Sequence, residues 1–133
     1  MGFIIIGITA IATVASQLDS LRWFRLIQLC GIGTFYCVVL ITALKQVLRT
    51  KKTDNNKIVG AICIYLLLGM LWTVVYAFFL EIDADAFNSL GSQDWTEQFT
   101  NLTYFSFTCL STLGFGDIVP ITPTVKFFAY MEL

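Results

Sequence analysis

Charged residues fall in clusters along this chain, and the stretches between them are long. Residues 1–18, 26–44, 58–80 and 98–116 contain no Asp, Glu, Lys or Arg. A helix over 58–80 reaches about 35 Å, enough to cross a hydrocarbon core of about 30 Å with modest tilt. The run 26–44 is also long enough. Its Gly31-Ile32-Gly33 step is tolerable because a helix in lipid has few alternatives to bonding its own backbone. The first run is as apolar, yet it lacks the positive n-region of a signal peptide, and Ala12-Thr13-Val14-Ala15 is a weak cleavage signal, so a retained helix is expected.

The fourth run reads differently. QFTNLTYFSFTCLSTLGFG interleaves Gln98, Thr100, Asn101, Thr103, Ser106, Thr108, Ser111 and Thr112 with aromatics, a mixture that lipid does not accept. Such backbone at membrane depth is tolerated only when buried in protein or lining a watery cavity, which predicts a re-entrant segment rather than a poor spanning helix. The chain's prolines, Pro120 and Pro123, bracket the loop that follows. Thr122-Pro123 fits an N-cap with proline at the first helical position, opening a last helix over 123–133. The expected fold is therefore an all-α membrane protein, with transmembrane helices and a re-entrant helix.

Composition strengthens this reading. Of the 133 residues, 57% are apolar and 13% charged, against about 45–50% and about 25% in soluble domains. With a mean hydropathy of +0.78, a disordered tail, a nucleic-acid-binding module and most soluble enzymes are excluded. Histidine is absent, which closes the Ser-His-Asp and Cys-His routes and any histidine-ligated metal. Cys30, Cys37, Cys63 and Cys109 lie in apolar stretches with no CxxC pair, and read as small core residues.

The net charge of -1 conceals a strong segregation. RTKKTDNNK holds Arg49, Lys51, Lys52 and Lys57, with Lys45 just before, and short basic loops stay in the cytoplasm. Helix 58–80 then runs outward to EIDADAFNSLGSQDWTE, where Glu81, Asp83, Asp85, Asp94 and Glu97 have no basic residue among them. The re-entrant segment must dip in from outside. In this arrangement Arg22 and Arg25 lie on the outer side, against the rule. Their spacing of three resembles a voltage sensor, but two gating charges are too few, and an interfacial anchor with Trp23 is the ordinary role. Asp83 and Asp85 do not continue into a calcium loop, so a solvated turn is expected. The sequon Asn101-Leu102-Thr103 lies where no transferase reaches.

Residues 112–117 read Thr-Leu-Gly-Phe-Gly-Asp, after Tyr104-Phe105-Ser106-Phe107-Thr108-Cys109-Leu110-Ser111 and before Ile118-Val119-Pro120. This resembles the potassium-channel signature T-x-G-[YF]-G-D, and the likeness covers about residues 57–133. It looks closest to small prokaryotic pore-domain channels. The chemistry stands without the family name: a dehydrated potassium ion needs oxygens to replace its water, and backbone carbonyls supply them without full charges. Turning successive carbonyls to one axis requires the backbone to alternate in hand, and Gly114 and Gly116 enter positive φ at little cost.

By the resemblance, Thr112, Leu113, Gly114, Phe115 and Gly116 would coordinate K+, supported by Tyr104, Phe105, Thr108, Ser111 and Asp117. It implies a homotetramer, or association with longer related subunits, in a plasma membrane (the inner membrane of a bacterium). The transported ion would be the only non-protein component, with no cofactor and no catalytic residue. The divisions would be an N-terminal helix pair over 1–50, a cytoplasmic basic loop over 51–57 and a pore domain over 58–133. That pore domain comprises an outer helix 58–80, acidic turret 81–97, pore helix about 98–111, filter 112–117 and the start of an inner helix 123–133. Leu113 stands where Val or Ile is usual, Phe115 where Tyr is commoner, and Thr108 where some relatives carry a carboxylate. About ten residues follow Pro123 where an inner helix needs about 20. A fragment, or a truncated non-conducting or regulatory subunit, is the alternative, as is a non-selective cation channel. A membrane enzyme lacks a nucleophile-base pair.

Overall fold

A computed structural model describes residues 22–49, 55–88, 90 and 94–133. The helix expected over 1–18 and the centre of the basic loop lie outside these residues. The fold is all-α: α1 (Arg22–Arg49), α2 (Asn55–Ile82), α3 (Trp95–Leu110) and α4 (Pro123–Glu132). Both α1 and α2 are long and apolar enough to cross a membrane. Each extends beyond its uncharged run because the charges mark where lipid ends, not where the helix does. Arg25 and Arg49 sit on the end turns of α1, with Lys45 just inside the last one, and Lys57 and Glu81 on those of α2.

The first two helices form an antiparallel hairpin. Arg25 meets Glu81 at one end, Gly33 faces Val74 midway, and Gly60 faces Val47 at the other end. The Arg25 Nε lies 3.5 Å from Glu81 Oε1, so the acidic end of α2 does have a cation, supplied by the preceding helix. Arg25 is placed on that side by its partner.

With 16 residues, α3 is about 24 Å long at 1.5 Å per residue and too short to cross the hydrocarbon. It lies against the half of α2 that leads to Ile82. Its Phe107 ring packs directly on Gly69, where any β-carbon would come within 2.7 Å of the ring. Glycine there is the condition of close approach. Its threonine hydroxyls are satisfied locally: Thr100 bonds Thr96 O, Thr103 bonds Phe99 O, and Thr108 bonds Phe105 O. Ser106 and Gln98 instead bond outside the helix, to Gly69 O of α2 and to Leu90 O.

The core gathers where α2, α3, α4 and the 83–90 loop meet. Tyr76, Phe87, Leu102 and Val125 are fully buried there. Tyr76, Phe87 and Phe105 contact one another edge-to-face, with centroids 5.1–5.8 Å apart, the arrangement aromatic quadrupoles favour. The cysteines depart from expectation. Cys30, Cys37 and Cys63 are exposed and Cys109 is half-buried. In lipid an apolar side chain gains nothing by facing inward, so apolar character does not imply a core position.

The loop after α2 folds back on the segment that precedes α4. Asp83 caps a turn by accepting from Asp85 N at 3.0 Å. Phe87 and Pro120 form an isolated antiparallel bridge, and Ile121 N donates to Ala86 O at 2.8 Å.

Candidate functional site

The C-terminus of α3 delivers the chain directly into residues 112–117. Ser111 closes the helix, its Oγ donating to Phe107 O at 2.6 Å. Beyond it φ is positive at every second residue: 58° at Thr112, 52° at Gly114 and 77° at Gly116. Among the described residues no other position has positive φ. The two glycines were legible in the sequence. Thr112 was not, because a β-branched residue is a poor candidate for left-handed backbone. The only sequence signal is spacing: the two-residue step from Gly116 to Gly114, extended once more, lands on Thr112.

Local hydrogen bonds hold this backbone. Thr112 N donates to Cys109 O at 2.8 Å, and Leu113 N and Gly114 N both donate to Thr108 O, at 2.9 and 3.3 Å. Thr108 therefore supports the segment through its main-chain carbonyl, while its buried side chain turns back to Phe105 O. Tyr104 stacks on Phe115 with the rings 5° from parallel and 6.4 Å apart. Phe105 is brought elsewhere. Its ring is buried between Tyr76 and Phe87, so it supports the segment only by seating α3.

Asn88 was not singled out by sequence reasoning, since one Asn in an acidic loop carries no signal. Its Oδ1 accepts from Val119 N at 2.7 Å, its Nδ2 donates to Asp117 O at 3.3 Å, and its own N–H bonds Val119 O at 3.1 Å. It thus fastens the exit of the 112–117 segment from 29 to 31 residues away. Glu132 is a second such residue, buried at the end of α4.

All six residues from Thr112 to Asp117 are exposed in the single subunit, Leu113 at 61% and Phe115 at 65%. The carboxylates of Asp83, Asp85, Asp94, Glu97 and Asp117 are exposed too, in the loop before α3, on its first turn and at the end of the segment. Carboxylates so placed raise the local cation concentration. Among the described residues no three His, Cys, Asp or Glu side chains are grouped to hold a metal.

The family model described as "Ion channel" matches residues 61–133, from within α2 through α3, the 112–117 segment and α4. No curated protein and no solved structure matches the chain.

Proposed function

Since the chain belongs to the ion channel family whose model spans residues 61–133, we propose that it is the subunit of a potassium-selective pore. Four identical copies surround one axis, each contributing residues 112–116 as a filter strand. The observation that carries this reading is the alternation of φ at Thr112, Gly114 and Gly116 within the Thr-Leu-Gly-Phe-Gly-Asp motif. Alternating hand is the backbone pattern that turns successive carbonyls to the same side.

One strand surrounds nothing, so an ion stripped of water needs several strands around it. The exposure of Leu113, and of Phe115 beyond the one face that Tyr104 stacks on, supports neighbours around the segment. Thr112 supplies hydroxyl and carbonyl oxygens at the inner end, and Leu113, Gly114 and Phe115 supply carbonyls further out. The carbonyls act as a field of dipoles, with no covalent step, and ions move down their electrochemical gradient. The C-terminal dipole end of α3 faces the same axis from below and favours a cation there. Asp117 and the acidic loop gather cations at the outer mouth. In this reading the protein is multi-pass in a plasma membrane, with the basic stretch 49–57 cytoplasmic and the acidic stretch 81–97 outside.

Ion flux from liposomes containing the full-length protein tests it. Potassium and rubidium should pass far faster than sodium, and barium, close to potassium in size but doubly charged, should block. Equal sodium and potassium flux moves the assignment to a non-selective cation channel. An assembled protein that passes neither ion is a non-conducting partner subunit.

A further inference from the structure

We propose that Glu132 is a positioning residue for the filter, tying α4 to α2 and α3 through Tyr76 and Ser106 and so fixing where residues 112–114 sit. The inference rests on the reading of 112–116 as the potassium-coordinating strand.

Glu132 is only 6% exposed, at the end of α4, the apolar helix that follows the proposed filter. Among the described residues the one ion pair is Arg25–Glu81, so Glu132 has no cation beside it. A carboxyl group in that position is costly unless both oxygens are bonded. Both are. Ser106 Oγ lies 2.5 Å from Oε1, and Tyr76 Oη lies 2.5 Å from Oε2. The two hydroxyls come from different helices, α3 and α2, so three helices meet at one side chain.

Counting protons shows how the tie works. Ser106 has one hydroxyl proton and two acceptors in reach, Glu132 Oε1 and Gly69 O at 2.9 Å. Gly69 O also receives Thr73 Oγ1 at 2.9 Å. With Glu132 ionised, Tyr76 and Ser106 both donate to it, and Thr73 serves Gly69 O. With Glu132 protonated, the acid donates to Ser106 Oγ, whose own proton turns to Gly69 O, and Tyr76 still donates to Oε2. Either way every partner is satisfied and all three helices stay joined.

Ser106 is set apart from its neighbours. Thr100, Thr103, Thr108 and Ser111 return their hydroxyls to carbonyls of their own helix, whereas Ser106 reaches out to α2 and α4. It stands two residues before Thr108, whose carbonyl holds Leu113 N and Gly114 N. Tyr76 in turn bears on Phe105, the residue before Ser106. A shift of α4 is thereby felt at the carbonyl that anchors the start of the filter.

The test compares the full-length wild type with Glu132→Ala, Glu132→Gln and Ser106→Ala. Hydrogen exchange over residues 105–114 and the potassium-to-sodium flux ratio are read on protein whose assembly has been checked. Glu132→Ala should speed exchange over 105–114 by roughly tenfold or more, the factor that losing a hydrogen bond to a charged group corresponds to. The flux ratio should fall with it. Ser106→Ala, which removes one donor and spares Tyr76, should shift both in the same direction by less, and serves if Glu132→Ala does not assemble. Glu132→Gln should stay near wild type, since its amide accepts from Tyr76 and donates to Ser106 Oγ. Unchanged exchange in Glu132→Ala and Ser106→Ala overturns the proposal, as does faster exchange with an unchanged flux ratio, or a glutamine variant as damaged as alanine. If the wild type itself passes sodium and potassium equally, the potassium reading falls, while the exchange measurement still decides whether Glu132 sets the placement of 112–114.

Discussion

At Gly116 the backbone φ of 77° is the whole reason for glycine, because a β-carbon built there meets nothing within 4 Å in the subunit. Alanine would therefore suffer dihedral strain of roughly 1–2 kcal/mol in left-handed geometry rather than a clash. Repeated in the four subunits of the proposed pore the strain is roughly 4–8 kcal/mol if it adds, enough to flip a carbonyl out of line. Gly116→Ala should abolish selective potassium flux. Gly31→Ala is the control, since it also meets nothing within 4 Å but has no positive φ. Selective flux through Gly116→Ala would show that 112–116 do not coordinate the ion. Asn88 belongs to the same scale. Asn88→Ala removes the bonds to Val119 N and Asp117 O and should cost about 1–3 kcal/mol of assembly stability. Asn88→Asp, which keeps the acceptor for Val119 N, should cost less; equal melting temperatures for alanine and wild type would show that the fastening carries no energy. Gly114 and Gly116 were legible because glycine advertises permissive backbone. Thr112 was legible as a member of the motif but not in its left-handed φ, and Asn88 and Glu132 were not legible at all, because their partners are remote in sequence and no local pattern names them.

Among the described residues the helices were legible in kind and position, and their ends were not. Uncharged runs served as a measure of helix, whereas they measure hydrocarbon. The α3 helix begins at Trp95 rather than near 98 because its first turn carries Glu97, a carboxylate that the positive helix N-terminus favours. The packing of α3 on α2 was illegible for another reason: Gly69 lies in an unbroken apolar run, and nothing local marks it as the contact for Phe107. Its β-carbon position lies 2.7 Å from two carbons of that ring. Gly69→Ala should push α3 outward and cost about 1–3 kcal/mol, the usual penalty of overpacking. Thermal unfolding of the assembled protein should show the loss, and Phe107→Leu in the same chain should recover part of it. Full stability in Gly69→Ala alone would mean that the ring moves aside freely and that glycine is not what allows the close approach.

On the scale of the whole molecule, the proposed orientation rests on the distribution of basic residues, and Arg25 is the residue that tests it. The loop end of the α1–α2 hairpin carries Lys45, Arg49, Lys51, Lys52 and Lys57, against Arg22 and Arg25 at the other end. Counted by basic residues near the helix ends, this bias is the ground for proposing that the loop is cytoplasmic. The Arg25–Glu81 pair removes the apparent discord, since an arginine that meets a carboxylate from α2 has a local reason for its place. The pair itself is partly exposed and is worth no more than about 0.2–1 kcal/mol, so Arg25→Ala should barely change stability and should leave the orientation unaltered. Sidedness can be read directly with a membrane-impermeant maleimide, in a background where Cys30, Cys37, Cys63 and Cys109 are replaced by alanine. Arg49 and Asp85 are both exposed, at opposite ends of α1 and α2. Arg49→Cys should react only from the cytoplasmic side and Asp85→Cys only from outside, with or without Arg25→Ala. The opposite pattern would invert the molecule, put the acidic loop and Asp117 at the cytoplasmic mouth, and remove the re-entry from outside on which the direction of the proposed filter depends. Labelling of both positions from one side would break the hairpin reading itself, because α2 would then not cross the membrane.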